Sequence, residues 1–397
     1  MREAVLEAAT AGTPTATLLQ PSLVVIWIDW YAYHVARFQG LLDNPELEGK
    51  VVGIEMVGGI GVHLGLKFRE ALPSALPIQT LVPDGNWREV GKWQLALLLW
   101  KKLNLLTPSV VLIPGYYTLP ALAAAVWCKL KGRKAVLMTE SGASDHKRVW
   151  WREALKRLLI LNLFDWAVAG GKAHSDYLRQ LKFPANRVAG FYDVVDNSFF
   201  QDRCQTLRAL HNASDFGLPA EYFLYVGRLS EEKHTRALLN AYLKYRVSGG
   251  QWALVIVGDG PQLSELRAVA ATSRYEGDIY FSGLQPTSQL PNYYAFASAF
   301  VLPSIREPWG LVVNEAMAAG LPVMVSNRCG CAEDLVALGE NGFTFDPDDE
   351  NQITDALWQF GKMSPQKLKQ MGLRSSEVIS RFSPKAWAAE VARIVRS

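Results

Sequence analysis

The sequence predicts an α/β protein of two doubly wound, Rossmann-like domains, each a parallel sheet flanked by helices, facing one another across a central cleft. Length is the first observation. At 397 residues the chain exceeds one ordinary hydrophobic core, and two domains of roughly 150–200 residues each are the natural division. Pattern is the second, because short apolar runs alternate with longer amphipathic segments almost throughout, as βαβ units require. The third is a polar interval at Gln201–Pro219 that interrupts this rhythm before it restarts.

In the first half the expected strands are Leu23–Ile28, Val51–Glu55, Ile78–Leu81, Val110–Ile113, Ala135–Met138, Trp166–Ala169 and Arg187–Ala189. Helices are expected between them at Arg88–Leu105 and Val149–Leu161. In the second half the strands are Tyr222–Val226, Trp252–Val257, Ile279–Ser282, Ala299–Leu302 and Pro322–Val325. Residues 1–20 are expected to be a flexible, small-residue lead rather than a signal peptide. The first domain then covers 21–205 and the second 206–383. A terminal helix, Pro384–Arg396, has no strand to serve and is free to cross back to the first domain. Open parallel sheets bind ligands beyond the carboxyl ends of their strands, so two such sheets face to face make a cleft.

Composition narrows the functional classes. A formal net charge of +3 is too small to indicate a nucleic-acid partner unless the cations gather on one face. Four cysteines are few for this length, and Cys329-Gly-Cys331 lacks the two-residue gap of common zinc or thiol-redox pairs, which fits a reducing, cytoplasmic compartment. The most apolar stretch, Tyr117–Cys128, falls short of the ~20 residues that span a bilayer.

Chemistry concentrates at the strand ends of the second half. Tyr222–Val226 runs into Gly227-Arg228-Leu229-Ser230-Glu231-Glu232-Lys233, where Gly227 permits a tight exit and Arg228 and Lys233 place two cations at the cleft rim. Paired cations there suit a diphosphate; the other reading is a solvated loop pairing its own acids, Glu231 and Glu232. After the next strand, Gly258-Asp259-Gly260-Pro261 makes a tight turn that lets backbone approach a ligand, or serves only as a connection. Pro308 keeps a helix from continuing through the stretch REPWGLVVNEAMAAGLPV, so Gly310 falls near a helix N-terminus, whose free N–H groups and dipole favour phosphate.

Glu307 then precedes that helix and Glu315 lies inside it, roughly 8–12 Å further on at ~1.5 Å per residue. That is too far for two carboxylates sharing one reacting atom, so the pair suits two parts of one long ligand with hydroxyls at both ends and phosphates between. The alternative is one acid answering the helix dipole and one exposed helix acid.

The ordered set GRLSEEK, VIVGDGP, FSG, LPSIREPWGLVVNEAMAAGLPV, RCGCAEDLV and GENGF, covering Tyr222 to Phe345, resembles the nucleotide-sugar half of family 4 glycosyltransferases, retaining enzymes of the GT-B fold. The resemblance implies that Arg228 and Lys233 hold the donor diphosphate and that Glu307 contacts the transferred sugar. It also implies that Glu315 binds the ribose and that backbone at Gly310 and Leu311 meets phosphate. Backbone around Ser282–Leu284 is expected to meet the base, and Gly227, Gly258 and Gly260 to belong to the donor-binding site through the tight turns described above. The segment from Phe191 to Phe200 resembles the run into the interdomain linker of a bacterial branch. Where many relatives carry a histidine beside the reacting sugar, this chain has Glu140-Ser141; either Glu140 contributes at the acceptor side or that role is vacant. His34, Arg37, His63 and His146 are lesser candidates.

No side chain is placed as a covalent nucleophile, which favours front-face transfer with Arg228, Lys233 and the helix end stabilising the leaving diphosphate. The nucleotide-diphosphate sugar is then a co-substrate, with no tightly bound cofactor. No paired-aspartate signature calls for a metal. The acceptor is expected to be a glycolipid, a polysaccharide or another cell-envelope molecule. Alternatives are a non-catalytic membrane-surface protein retaining a nucleotide-sugar pocket, and a GT-B epimerase or phosphorylase.

Two first-half segments are basic, apolar and tryptophan-bearing: WREVGKWQLALLLWKKLNLL from Trp87 and HKRVWWREALKRLLILNLF from His146. In the second, Val149, Trp150, Leu155, Leu158 and Leu159 make an apolar surface and Arg148, Arg152 and Lys156 a basic stripe. Such a helix lies on an anionic membrane, or it packs on a sheet as an ordinary amphipathic helix.

Overall fold

The computed structural model describes residues 21–59, 72–143 and 149–397; residues 1–20, His63, His146 and Arg148 lie outside the described residues. The first sheet holds β1 (Leu23–Trp27), β2 (Val51–Val57), β3 (Ile78–Val82), β4 (Val110–Pro114), β5 (Lys134–Thr139), β6 (Trp166–Ala169) and β7 (Val188–Ala189). The second holds β8 (Tyr222–Val226), β9 (Ala253–Val257), β10 (Ile279–Gly283), β11 (Ala299–Leu302), β12 (Val323–Ser326) and β13 (Gly342–Phe345). Their orders are β3-β2-β1-β4-β5-β6-β7 and β10-β9-β8-β11-β12-β13, with every pairing parallel. Both sheets are therefore doubly wound, with the order reversing between β1 and β4 and again between β8 and β11. Crevices for ligands open at those reversals.

Central strands such as LVVIW of β1 and ALVIV of β9 are buried along their whole length, because helices cover both faces of a parallel sheet. Two differences from the sequence expectations have local causes. The helix expected from Arg88 begins at Lys92, since Asn86 first makes a turn: its side-chain oxygen accepts from the Arg88 N–H and its carbonyl from the Val90 N–H. β13 was not expected because its GFTF run is short and follows a Gly-Glu-Asn turn.

The core changes hands earlier than the expected boundary at 205/206. Val194 packs with the first sheet, Val195 with the second. The helix spanning that boundary, Asn197–Leu210, is capped by Asp196 and buries Phe200, Cys204 and Leu207 in the second core. At the chain's other end the Pro384–Arg396 helix returns to the first domain. It is capped by Ser383 and packs on the Ala32–Leu42 helix, and Trp387, Val391 and Ile394 join the core of β1, β4 and β5.

Trp387 is fully buried beside Trp27. Trp387→Ala is expected to cost about 3–5 kcal/mol by the cavity it leaves. Urea unfolding should show this loss in the transition of the first domain, with the second domain's unchanged.

Candidate functional site

The second domain's strand ends are knitted by backbone before any ligand arrives. The Gly227 N–H donates to the Val257 carbonyl at 3.0 Å, and the Leu229 N–H to that of Asp259 at 3.0 Å. A Cβ on Gly258 would lie 1.8 Å from the Gly227 oxygen, and one on Gly260 would lie 2.3 Å from the Leu229 oxygen. These glycines thus admit the neighbouring loop first, a tighter demand than the ligand approach expected of them. With Gly227, Arg228 and Leu284 they line a cavity of about 980 Å³ between the domains. Its opposite wall is first-domain chain, including Trp30, Tyr33, Val35 and Leu76. Ser282 does not line it, and its carbonyl accepts from the Gln285 side chain at 2.7 Å.

The loop after β11 gathers a second group. Lys233 pairs with Glu307 rather than with Glu231 or Glu232, and the Ser304 hydroxyl donates to the same Glu307 oxygen at 3.2 Å. Gly310 then enters the Leu311–Ala318 helix with φ 110°; its carbonyl accepts from the Val313 N–H at 2.8 Å, and no side chain caps the Leu311 or Val312 N–H. Gly330 braces this loop from below: its N–H donates to the Glu307 carbonyl at 3.0 Å, and a Cβ there would sit 1.7 Å from the Pro308 oxygen. Cys329 and Cys331 flank it as buried free thiols, and burial pushes both well above the usual thiol range.

Glu315 is fully buried and bonded across the domain boundary. Tyr294 of the second domain donates to Oε2 at 2.7 Å, and Tyr33 of the first donates to Oε1 at 2.9 Å. Burial pushes this carboxyl up to about 7, against the two tyrosine hydrogen bonds, which hold it down. The exposed-acid alternative for Glu315 is thereby excluded.

On the first-domain side, Asp193 is buried between Arg37, 3.4 Å away, and Glu140. Burial, reinforced by the Glu140 charge, pushes the Asp193 carboxyl well above the usual range, while Arg37 opposes that rise. Glu140 follows β5 and does not line the large cavity. His34 is a structural residue: its Nδ1 accepts from the Tyr31 N–H at 3.3 Å, its ring stacks on Trp27, and burial lowers its pKa well below the usual value.

Several site residues carry no sequence signal of their own. His174 accepts the Gly171 N–H at Nδ1, so its Nε2 bears the proton and donates to the Pro308 carbonyl at 2.8 Å, holding the Glu307 loop from the first domain. Asn314 donates to the Asp193 carbonyl at 3.0 Å and accepts from the Trp309 indole at 2.9 Å. Only the Gly170-Gly171 turn ahead of His174 could have hinted at it.

Residues 208–376 match the family model described as glycosyl transferases group 1. This stretch, most of the second domain, is what the chain shares with that family. Among curated relatives, the Escherichia coli O-antigen chain mannosyltransferase B is 34% identical over 206 residues, covering 51% of each chain. The chain thus spans about half the length of that relative. The Bacillus anthracis N-acetyl-alpha-D-glucosaminyl L-malate synthase is 21% identical over 81% of this chain and 88% of its own. The solved structure of Anabaena HepE in complex with UDP and glucose superposes with a TM-score of 0.71 at 18% identity, covering 95% of this chain and all of HepE. The chain therefore has the GT-B arrangement of two facing Rossmann-like sheets. Among the described residues, no group of three or more His, Cys, Asp or Glu side chains gathers as a metal site.

Glu315 gives a pH signature. The unfolded glutamate loses its proton near 4.5 and the folded one near 7, so the contribution of Glu315 to stability is fully present below about 4.5 and is lost as pH rises through about 7. Glu315→Gln removes that dependence. Relative to wild type its melting temperature should climb between pH 5 and 8, by the equivalent of roughly 3 kcal/mol. A pH-independent difference would place the carboxyl's titration elsewhere.

Proposed function

We propose that the chain is a retaining glycosyltransferase that moves a sugar from a nucleotide-diphosphate donor to a glycolipid, polysaccharide or other cell-envelope acceptor at the cytoplasmic face of a membrane. One observation carries this: the uncapped Leu311–Ala318 helix start lies between the Lys233–Glu307 pair and the buried Glu315. Phosphate at Gly310 and Leu311 meets free N–H groups and the positive helix end, with Arg228 and Lys233 adding fixed charge. Glu315 accepts the ribose hydroxyls, in place of the Tyr33 hydroxyl it now holds. Glu307 addresses the sugar. The names of the relatives, a mannosyltransferase and an N-acetyl-alpha-D-glucosaminyl L-malate synthase, support this reading, as does the UDP and glucose complex of HepE.

In the proposed chemistry the bond from the sugar's anomeric carbon to the diphosphate oxygen breaks, and the acceptor oxygen bonds that carbon on the same face. The acceptor's proton passes to the departing diphosphate, whose growing charge the cations and helix end stabilise. Glu140, beside Asp193, orients the acceptor hydroxyl from the first domain.

Calorimetric binding of a panel of nucleoside diphosphates should find one that binds, with affinity reduced at least tenfold in Lys233→Ala and in Glu315→Ala. If no diphosphate binds the folded protein, the donor site is refuted. Glu307→Gln should leave diphosphate affinity within a few-fold of wild type while slowing sugar transfer a hundredfold or more, the pattern of a contact made in the transition state.

A further inference from the structure

Three neighbouring helices of the first domain present their apolar side chains to solvent. The Leu119–Leu130 helix packs between Lys92–Leu106 on one side and Trp150–Leu163 on the other. Of the fifteen large hydrophobic side chains left exposed among the described residues, ten lie on these three helices. Trp93, Leu97 and Leu105 come from the first, and Val126 and Leu130 from the middle one.

The Trp150–Leu163 helix is the clearest case. Only Ile160 is buried, while Trp150 is 82% exposed and Leu158 61%. At about 100° per residue, Trp150, Trp151, Leu155, Leu158 and Leu161 span an arc of about 140° directed away from Ile160, with Arg152 and Arg157 on its two borders. The ordinary amphipathic helix packed by its apolar stripe is therefore not what forms; the stripe faces outward.

Charge selects the occupant. The three helices hold seven cations, Lys92, Lys101, Lys102, Lys129, Arg152, Lys156 and Arg157, against one acid, Glu153. That acid is taken up by Lys156 at 2.9 Å and the Tyr177 hydroxyl at 2.6 Å. A second copy of the chain would bring the same cations to a self-paired face and be repelled, whereas anionic lipid complements it. No helix among the described residues is long and apolar enough to cross a membrane, so contact is from the surface. Trp93, Trp150 and Trp151 lie at the helix starts, hence at the strand-end side where the cleft opens. Tryptophan favours the headgroup level of a bilayer.

We infer that this three-helix layer docks on an anionic bilayer, with the cleft mouth at headgroup depth. The docking stands on its own observations. Its consequence, an amphiphilic acceptor presented in the membrane plane, rests on the transferase reading above.

Co-sedimentation with vesicles tests it, with neither donor nor acceptor present. Wild type should bind vesicles of phosphatidylglycerol and phosphatidylcholine at low salt, bind pure phosphatidylcholine weakly, and release at high salt. Arg152→Glu with Arg157→Glu, and separately Leu155→Gln with Leu158→Gln, should each lower partitioning at least tenfold. Both double variants should keep wild-type nucleotide affinity, which also certifies their folding; circular dichroism does so if no nucleotide binds. Failure to bind anionic vesicles at low salt overturns the inference. So does binding indifferent to both double variants. Self-association in sedimentation velocity that Leu155→Gln with Leu158→Gln abolishes would assign the face to a second copy instead. Vesicle binding without nucleotide binding would keep the docking and remove the transferase reading; the reverse would do the opposite.

Discussion

A carboxyl group buried where two domains meet is the constraint around which the cleft is organised. An isolated Glu315 in that position would be costly, and the structure offsets the burial with one tyrosine from each domain. The next residue back, Asn314, bonds the backbone of Asp193. Successive residues of one short helix thus fix the second domain to the first, and the start of that helix faces the space between them. A ligand group that competes for Glu315 acts on the Tyr33 contact, so occupancy of the site and the relation of the domains are linked through one side chain.

The loops around this helix are held by close backbone approaches more than by side chains. Gly258, Gly260 and Gly330 each stand where a Cβ would collide with a neighbouring carbonyl oxygen. The result is a rim of short loops whose own N–H groups are tied to neighbouring oxygens, a rim held in place before anything binds there. His174 extends the same bracing from the first domain to the Pro308 carbonyl, so the Glu307 loop is supported from both sides of the cleft.

Much of this was legible in the sequence because the relevant signals are local. Parallel strands buried on both faces read as continuous apolar runs, and β1, β4, β8, β9 and β11 were all visible that way. Gly227, Gly310, Glu307 and Lys233 announce themselves by position after a strand or before a helix. Contacts between distant segments left no such trace. Tyr33 and Glu315 are separated by 282 positions, and nothing in either neighbourhood specifies the other. The domain boundary was misplaced for a related reason: the polar surface of Asn197–Leu210 reads as a linker, while Phe200, Cys204 and Leu207, its buried stripe, show their allegiance only once the second core is assembled. Periodicity likewise shows that Trp150–Leu163 is amphipathic but not which way it faces.

That orientation changes the meaning of the chain's modest charge. The formal net charge is +3, yet the three-helix layer alone carries an excess of six cations, which leaves the remainder of the chain at −3. The excess stands on one layer of the first domain, where Lys129 is paired with Asp165 and Lys156 with Glu153. Near an anionic surface the field turns that face inward before any apolar side chain makes contact, and the acidic remainder is pushed toward solution. Screening limits this steering to about 8–10 Å at physiological salt, so it orients the last approach rather than recruiting from a distance. Net charge summed over the sequence conceals the effect, because the segregation is a property of which helices the fold places side by side.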